Sequence, residues 1–232
     1  KETFEAFTET LMAEEFDLSG FVNEEVVTKL RVPIALGFLP DNRMLVLEKG
    51  GEILIADPNS GQQSTYLDIS NIIDSANERG LLEIAVPPDF DPVTPGKNLI
   101  YLYYTRSADT NRAVIASFEH IEGTGGLTST ADANSEEILW TDTDAYVSCC
   151  HYGGGLDFGP DGKLWLTTSD KFNTTNPGEG EPDSDDWSAD VSHTSGKVIR
   201  INRDGSIPDG TDGWPANPYV DGVIDGPYPT LD

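Results

Sequence analysis

The sequence predicts an all-β protein of repeated strand–turn–strand units, a β-propeller or another β-array. Three observations carry this. The 232 residues include 23 Gly and 15 Pro, which favours many turns and few long helices. From Val26 onward, short apolar bursts are closed by turn residues. One turn also recurs. Phe38-Leu39-Pro40-Asp41-Asn42 precedes a strand starting at Arg43, and Phe158-Gly159-Pro160-Asp161-Gly162 precedes one starting at Lys163. In both, Pro fixes φ, Asp caps the turn, and Asn or Gly accepts a positive φ, so the chain reverses into a strand. Two unrelated hairpins with the same turn chemistry would give this pattern too.

The elements follow in order. Residues 1–25 form an acidic N-terminal arm or a short helix. Phe4, Phe7 and Leu11 fall at helical spacing, and no base stands between Glu2 and Glu25. Residues 43–47 and 52–56 read as strands flanking Gly50-Gly51, a hairpin. Residues 99–105, 113–118, 163–167 and 197–201 are further strands, rich in β-branched and aromatic side chains. The domain plan is therefore the arm over residues 1–25 followed by a β-domain over residues 26–232, which the family resemblance given below implies is a partial β-propeller.

Charge narrows the partners. The chain carries 41 Asp+Glu against 14 Lys+Arg, a net charge of −27. Such a surface repels phosphate backbones and anionic lipid, which argues against nucleic acid. No apolar run approaches the roughly 20 residues that span a bilayer, so no membrane insertion is expected. The hydrophobic fraction of 37% suffices for a core. The chain starts at Lys1 without a signal-type apolar segment, and reads as a mature or trimmed product. Asn173-Thr174-Thr175 is a glycosylation sequon. These features, with the acidity, point to an extracellular or periplasmic location. Plain solubility accounts for the acidity equally well.

Five stretches together resemble the glucose/sorbosone dehydrogenase family, the soluble quinoprotein sugar dehydrogenases. The first is Leu36-Gly37-Phe38-Leu39-Pro40-Asp41 with Leu45-Val46-Leu47-Glu48. The second runs from Tyr66-Leu67-Asp68-Ile69-Ser70 through Glu78-Arg79-Gly80-Leu81-Leu82-Glu83-Ile84-Ala85 to Pro88-Asp89-Phe90. The third is Ile100-Tyr101-Leu102-Tyr103-Tyr104-Thr105. The fourth runs from His151-Tyr152-Gly153-Gly154-Gly155-Leu156 to Asp170, and the last is Gly196-Lys197-Val198-Ile199-Arg200-Ile201-Asn202. The resemblance implies a six-bladed β-propeller, of which this chain supplies roughly the first half. It also implies pyrroloquinoline quinone (PQQ) with Ca²⁺, and oxidation of aldoses to lactones.

On this resemblance His151 matches the family's catalytic base and Asp170 its partner carboxylate. The chemistry suits them. Removing hydride from a sugar C1 requires taking the hydroxyl proton, and an imidazole steadied by a carboxylate does this near neutral pH. A turn histidine bonded locally is the bland reading of His151. Gly153, Gly154 and Gly155 would let the backbone approach a flat cofactor. His120 and His193 have no such context and read as surface or loop residues. Departures are visible. Gly155 stands where many relatives carry Arg, Ser169 where Gly is usual, Glu83 in place of a Gly, and Val86-Pro87 in place of a Phe-His-like pair.

Cys149 and Cys150, the only cysteines, directly precede His151. A different quinoprotein group packs a vicinal disulfide against PQQ, and the same platform is one reading here. Free thiols, or pairing with cysteines elsewhere, are the others. The metal ligands are not assignable from the sequence. Residues 179–190 hold six acids and no base, which reads first as a solvated loop. Asp204-Gly205-Ser206 and residues 209–213 are turn-rich.

Family members are considerably longer, and their basic cofactor clamps and calcium-holding carbonyls come from later blades. PQQ carries three carboxylates and calls for Arg or Lys. The remaining propeller blades, from a longer polypeptide or a second segment, are therefore expected partners. Two functions are consistent with this. One is an exported PQQ-dependent sugar dehydrogenase. The other is a non-catalytic propeller serving as a binding or extracellular structural module.

Overall fold

The computed structural model describes residues 24–107, 112–143, 150–170 and 193–217. They form three antiparallel sheets. Blade 1 has the order β1 (Pro33–Phe38), β2 (Met44–Glu48), β3 (Glu52–Ala56), β4 (Gln63–Asp68). Blade 2 runs β5 (Leu81–Ala85), β6 (Leu99–Thr105), β7 (Ala113–Ile121), with β8 (Thr130–Ala131) and β9 (Glu137–Thr141) both pairing with β7. Blade 3 runs β10 (Gly155–Phe158), β11 (Leu164–Thr167), β12 (Val198–Ile201). Successive strands are neighbours, as in a propeller meander.

The two middle strands of blade 1 are apolar on both faces because both faces are covered. Leu45, Leu47, Ile53 and Ile55 pack with Leu81, Ile84, Ile100, Leu102 and Tyr104 of blade 2. On the opposite face Met44, Val46, Leu54 and Ala56 are covered by Val27 and Leu30. A second interface joins blade 2 to blade 3 through Leu82, Tyr101, Tyr103, Ile115, Tyr152, Leu156, Leu164 and Leu166. Burying each such side chain contributes about 1.5–3 kcal/mol, so these interfaces hold the blades together.

The first strand of each blade is innermost, and β5 packs against both β1 and β10. The approach is close. A Cβ on Gly37 would stand 3.1 Å from Ile84 Cγ2. Ala35 and Gly37 turn toward blade 2, so alternation sends Ile34, Leu36 and Phe38 to the other face. There they are exposed, as are Trp165 and Val198 on blade 3.

The repeated turn has one geometry in both places. Leu39 N donates to Arg43 O at 2.9 Å, and Gly159 N to Lys163 O at 2.9 Å. Asn42 and Gly162 share φ 69. Asp41 Oδ1 accepts from Arg43 N at 3.1 Å, and Asp161 Oδ1 from Lys163 N at 3.1 Å. The Gly50-Gly51 hairpin is present as expected.

His120 is a correction. It is not a surface residue but 2% exposed. β7 extends to Ile121, and alternation turns Phe118 and His120 inward and Glu119 and Ile121 outward. Its ring satisfies both nitrogens, Nδ1 with the Tyr66 hydroxyl at 2.8 Å and Nε2 with Glu122 at 2.7 Å. The arm of residues 1–23, the sequon, Cys149 and the acidic segment 179–190 lie outside the described residues. Asp204 and Asp209 cap their own turns by accepting from Ser206 N and Thr211 N, each at 3.0 Å.

Candidate functional site

β10 and β11 are antiparallel and pair Gly155 with Thr167. The residues before Gly155 therefore lie beside those after Thr167. His151 and Asp170 meet at this end of blade 3, with Nδ1 2.8 Å from Asp170 Oδ1. The carboxylate requires a proton on Nδ1, which gives Nε2 the lone pair. Ser169 Oγ donates to the same Oδ1 at 3.3 Å. The two side chains are 46% and 32% exposed, so the pair faces solvent and is reachable by a small molecule.

The local backbone is tightly specified. His151 has φ 61, a left-handed conformation uncommon for a residue with a Cβ. Gly153 has φ 74, and a Cβ there would stand 2.6 Å from Ser169 N. Gly153 is thus required by the backbone next to Asp170. At Gly154 a Cβ would meet only Leu82 Cβ and Tyr103, at 3.7 Å and beyond. Tyr103, buried in blade 2, donates its hydroxyl to Tyr152 O at 2.8 Å. Burial holds its phenol protonated far above the ordinary range. His151 N donates to Glu78 Oε2 at 2.6 Å. Cys150 is disulfide-bonded, so it is not a free thiol.

Glu78 is the residue that sequence reading missed. It lies 73 positions away on the loop before β5, and only its place in the Glu78-Arg79-Gly80-Leu81 stretch could have drawn attention to it. The innermost strands add two more acids. Glu83 on β5 and Asp157 on β10 line a shallow cleft with Leu36, Phe38 and Val86. Burial pushes the Glu83 carboxyl above its usual range, the Ile84 N–H works against this, and the Asp157 charge adds to it.

These residues can accept a proton and steady the cation that forms. They do not by themselves fit PQQ and Ca²⁺. The carboxylates of Asp170 and Glu78 both bond His151, and a carboxylate repels the carboxylates of PQQ. The cations on the flanking loop are engaged, Lys49 with Asn77 O and Arg79 with Asp74. Among the described residues no group of three or more His, Cys, Asp or Glu is arranged to hold a metal ion. Nor, among them, is any helix long and apolar enough to cross a membrane.

Known proteins share this arrangement of sheets. Quinoprotein glucose dehydrogenase B of Acinetobacter calcoaceticus is 29% identical over 228 residues, covering 90% of this chain and 44% of that protein. Hedgehog-interacting protein of Homo sapiens is 30% identical over 196 residues, covering 79% of this chain and 26% of that protein. This chain spans less than half the length of either. The PQQ-bound form of aldose sugar dehydrogenase from Streptomyces coelicolor is 24% identical, covers 85% of this chain and 52% of that one, and superposes with a TM-score of 0.65. That overlap shows the same fold, so the three sheets are blades of a six-bladed β-propeller, roughly its first half. The family model for glucose/sorbosone dehydrogenase matches residues 30–222, and the chain belongs to that family.

Proposed function

We propose that this chain is the proton-accepting half of an exported quinoprotein sugar dehydrogenase, which oxidises the C1 hydroxyl of an aldose to a lactone. The observation that carries the reading is the His151–Asp170 pair, bonded at 2.8 Å on an exposed blade end. His151 Nε2 takes the hydroxyl proton as the C1 hydride leaves, and Asp170 steadies the imidazolium. PQQ, held in a completed ring, would supply the hydride acceptor, and its cationic clamps and calcium ligands would have to come from the blades that complete the ring. The exposed Ile34, Leu36 and Phe38 on one side, and Val198 on the other, support this, because neighbouring blades would cover them.

The test is reduction of a redox dye by aldoses, with added PQQ and Ca²⁺, using a polypeptide that joins this chain to the completing blades. Aldose-dependent reduction with lactone formation is expected. No reduction with any aldose would end the enzyme reading. The second reading is a binding module on the same scaffold. The 30% identity to Hedgehog-interacting protein favours it.

A further inference from the structure

We propose that Glu78 is a positioning residue for His151, acting through the main chain rather than through charge. This rests on the reading of His151 as the proton acceptor, but its geometric content stands apart from that reading. His151 adopts φ 61. A left-handed conformation costs a residue with a Cβ on the order of 1 kcal/mol or more, and persists only where surroundings hold it. Glu78 Oε2 supplies the hold by accepting the His151 N–H at 2.6 Å. On the other side, Tyr103 donates to the carbonyl of the next residue, Tyr152, at 2.8 Å. Tyr152 is 2% exposed and part of the core between blades 2 and 3. The backbone of the base is thus gripped before and after its side chain, once from the loop leading into blade 2 and once from blade 2 itself.

The loop that presents Glu78 is built as a strut. Thr105, fully buried, bonds both of its ends. Its Oγ1 donates to Asp74 O at 2.6 Å and accepts from Gly80 N at 2.7 Å, while its N–H donates to Gly80 O at 2.9 Å. Asp74 N donates to Thr105 O at 2.9 Å. Arg79 pairs with Asp74 across the loop at 2.9 Å. From blade 1, Lys49 Nζ donates to Asn77 O, and Lys49 O accepts from Leu81 N at 3.0 Å. Gly80 lies so close to this turn that a Cβ would stand 2.6 Å from Lys49 O. A loop tied at this many points holds its exposed carboxylate at a fixed place. The His151 N–H is that place.

Three substitutions separate contact from charge. Glu78→Ala removes both, Glu78→Gln keeps an acceptor oxygen without charge, and Glu78→Asp keeps the charge but withdraws it by one methylene. The first readout is nitrogen-15 NMR of the His151 amide and imidazole in this chain, which needs no cofactor. Asp170→Asn serves as the reference for a lost Nδ1 partner. The wild type is expected to show one Nδ1–H tautomer. Glu78→Ala and Glu78→Asp are expected to shift the amide and mix the tautomers, and Glu78→Gln to resemble the wild type. The second readout is turnover in the ring-completed polypeptide. There Glu78→Ala and Glu78→Asp lower kcat on the order of 10- to 100-fold, with KM little changed, and Glu78→Gln recovers most of it. An unchanged tautomer and amide shift in Glu78→Ala would overturn the proposal, whatever the turnover assay gives. So would an Asp variant that behaves as wild type beside a Gln variant that does not. Absent turnover with the NMR pattern intact would instead overturn the dehydrogenase reading alone.

Discussion

In blade 1, Arg31 stands seven residues before the Phe of the repeated turn, and in blade 3 His151 stands seven residues before it. Each main-chain N–H donates to a glutamate, Arg31 to Glu48 and His151 to Glu78. The difference lies in where the glutamate comes from and what the side chain then does. Glu48 belongs to blade 1, and the Arg31 guanidinium folds back onto Glu48 and Glu52 of the same blade. That end of blade 1 is closed by its own charges. Glu78 lies on the loop that leads from blade 1 into blade 2, and the imidazole of His151 meets Asp170 instead. One repeated position thus yields an arginine–glutamate cap in one blade and an exposed histidine–aspartate pair in another.

The largest effect that would break this contrast is on turnover. In the ring-completed polypeptide, His151→Ala is expected to lower kcat by 10²- to 10⁴-fold, the range of a positioned general base. Arg31→Ala, at the matching place, is expected to leave kcat in place. Steady-state dye reduction measures both, and equal losses would erase the distinction. Asp170→Asn follows, with a smaller loss than His151→Ala, because the imidazole remains while its tautomer is no longer fixed.

The turns sharpen the comparison through stability. The Asp161 side chain is 3% exposed and accepts from Arg200 at 2.7 Å and from Trp165 Nε1 at 3.2 Å. Asp41 is half exposed and pairs with Arg43 within its own turn. Asp161→Asn is expected to cost about 3 kcal/mol, and Asp41→Asn under about 1 kcal/mol, in urea melts. Burial alone would raise the Asp161 carboxyl, but its hydrogen bonds and Arg200 bring it below the usual range. A depressed folded value means stability present above the unfolded value, near pH 4, and lost as pH falls through the folded one. Wild type is therefore expected to lose more stability than Asp161→Asn below about pH 4.

The smallest effect concerns the strand between the two blades. Glu83 is raised by burial, so its contribution is present below its unfolded value near pH 4 and is lost as pH rises through the raised folded value. Glu83→Gln is expected to raise the melting midpoint at pH 7 and to leave it unchanged at pH 4. A midpoint equally shifted at both would show that packing, not charge, is responsible.

The sequence revealed the parts whose chemistry is local. The repeated turn needs Pro, Asp and Asn or Gly at fixed offsets, and its geometry matches in both blades. β6 was legible to the residue because its apolar run is long and aromatic. The innermost strands were not. Two of these strands, β1 and β10, carry Gly, and all three contribute residues to the cleft, so no clean alternation survives. His120 escaped for a related reason, since only the full length of β7 shows which way its ring points. At the site, His151 and Asp170 were legible through family resemblance, not from spacing. Glu78 was not legible as a partner, because its bond spans 73 positions and leaves no mark in either local pattern.

The central claim is that His151 is the proton acceptor. Its most direct test is chemical rescue of His151→Ala in the ring-completed polypeptide, with added imidazole, PQQ, Ca²⁺ and an aldose. The account predicts that turnover collapses and that imidazole restores part of it in a saturable manner. Wild-type turnover in His151→Ala without imidazole would contradict it.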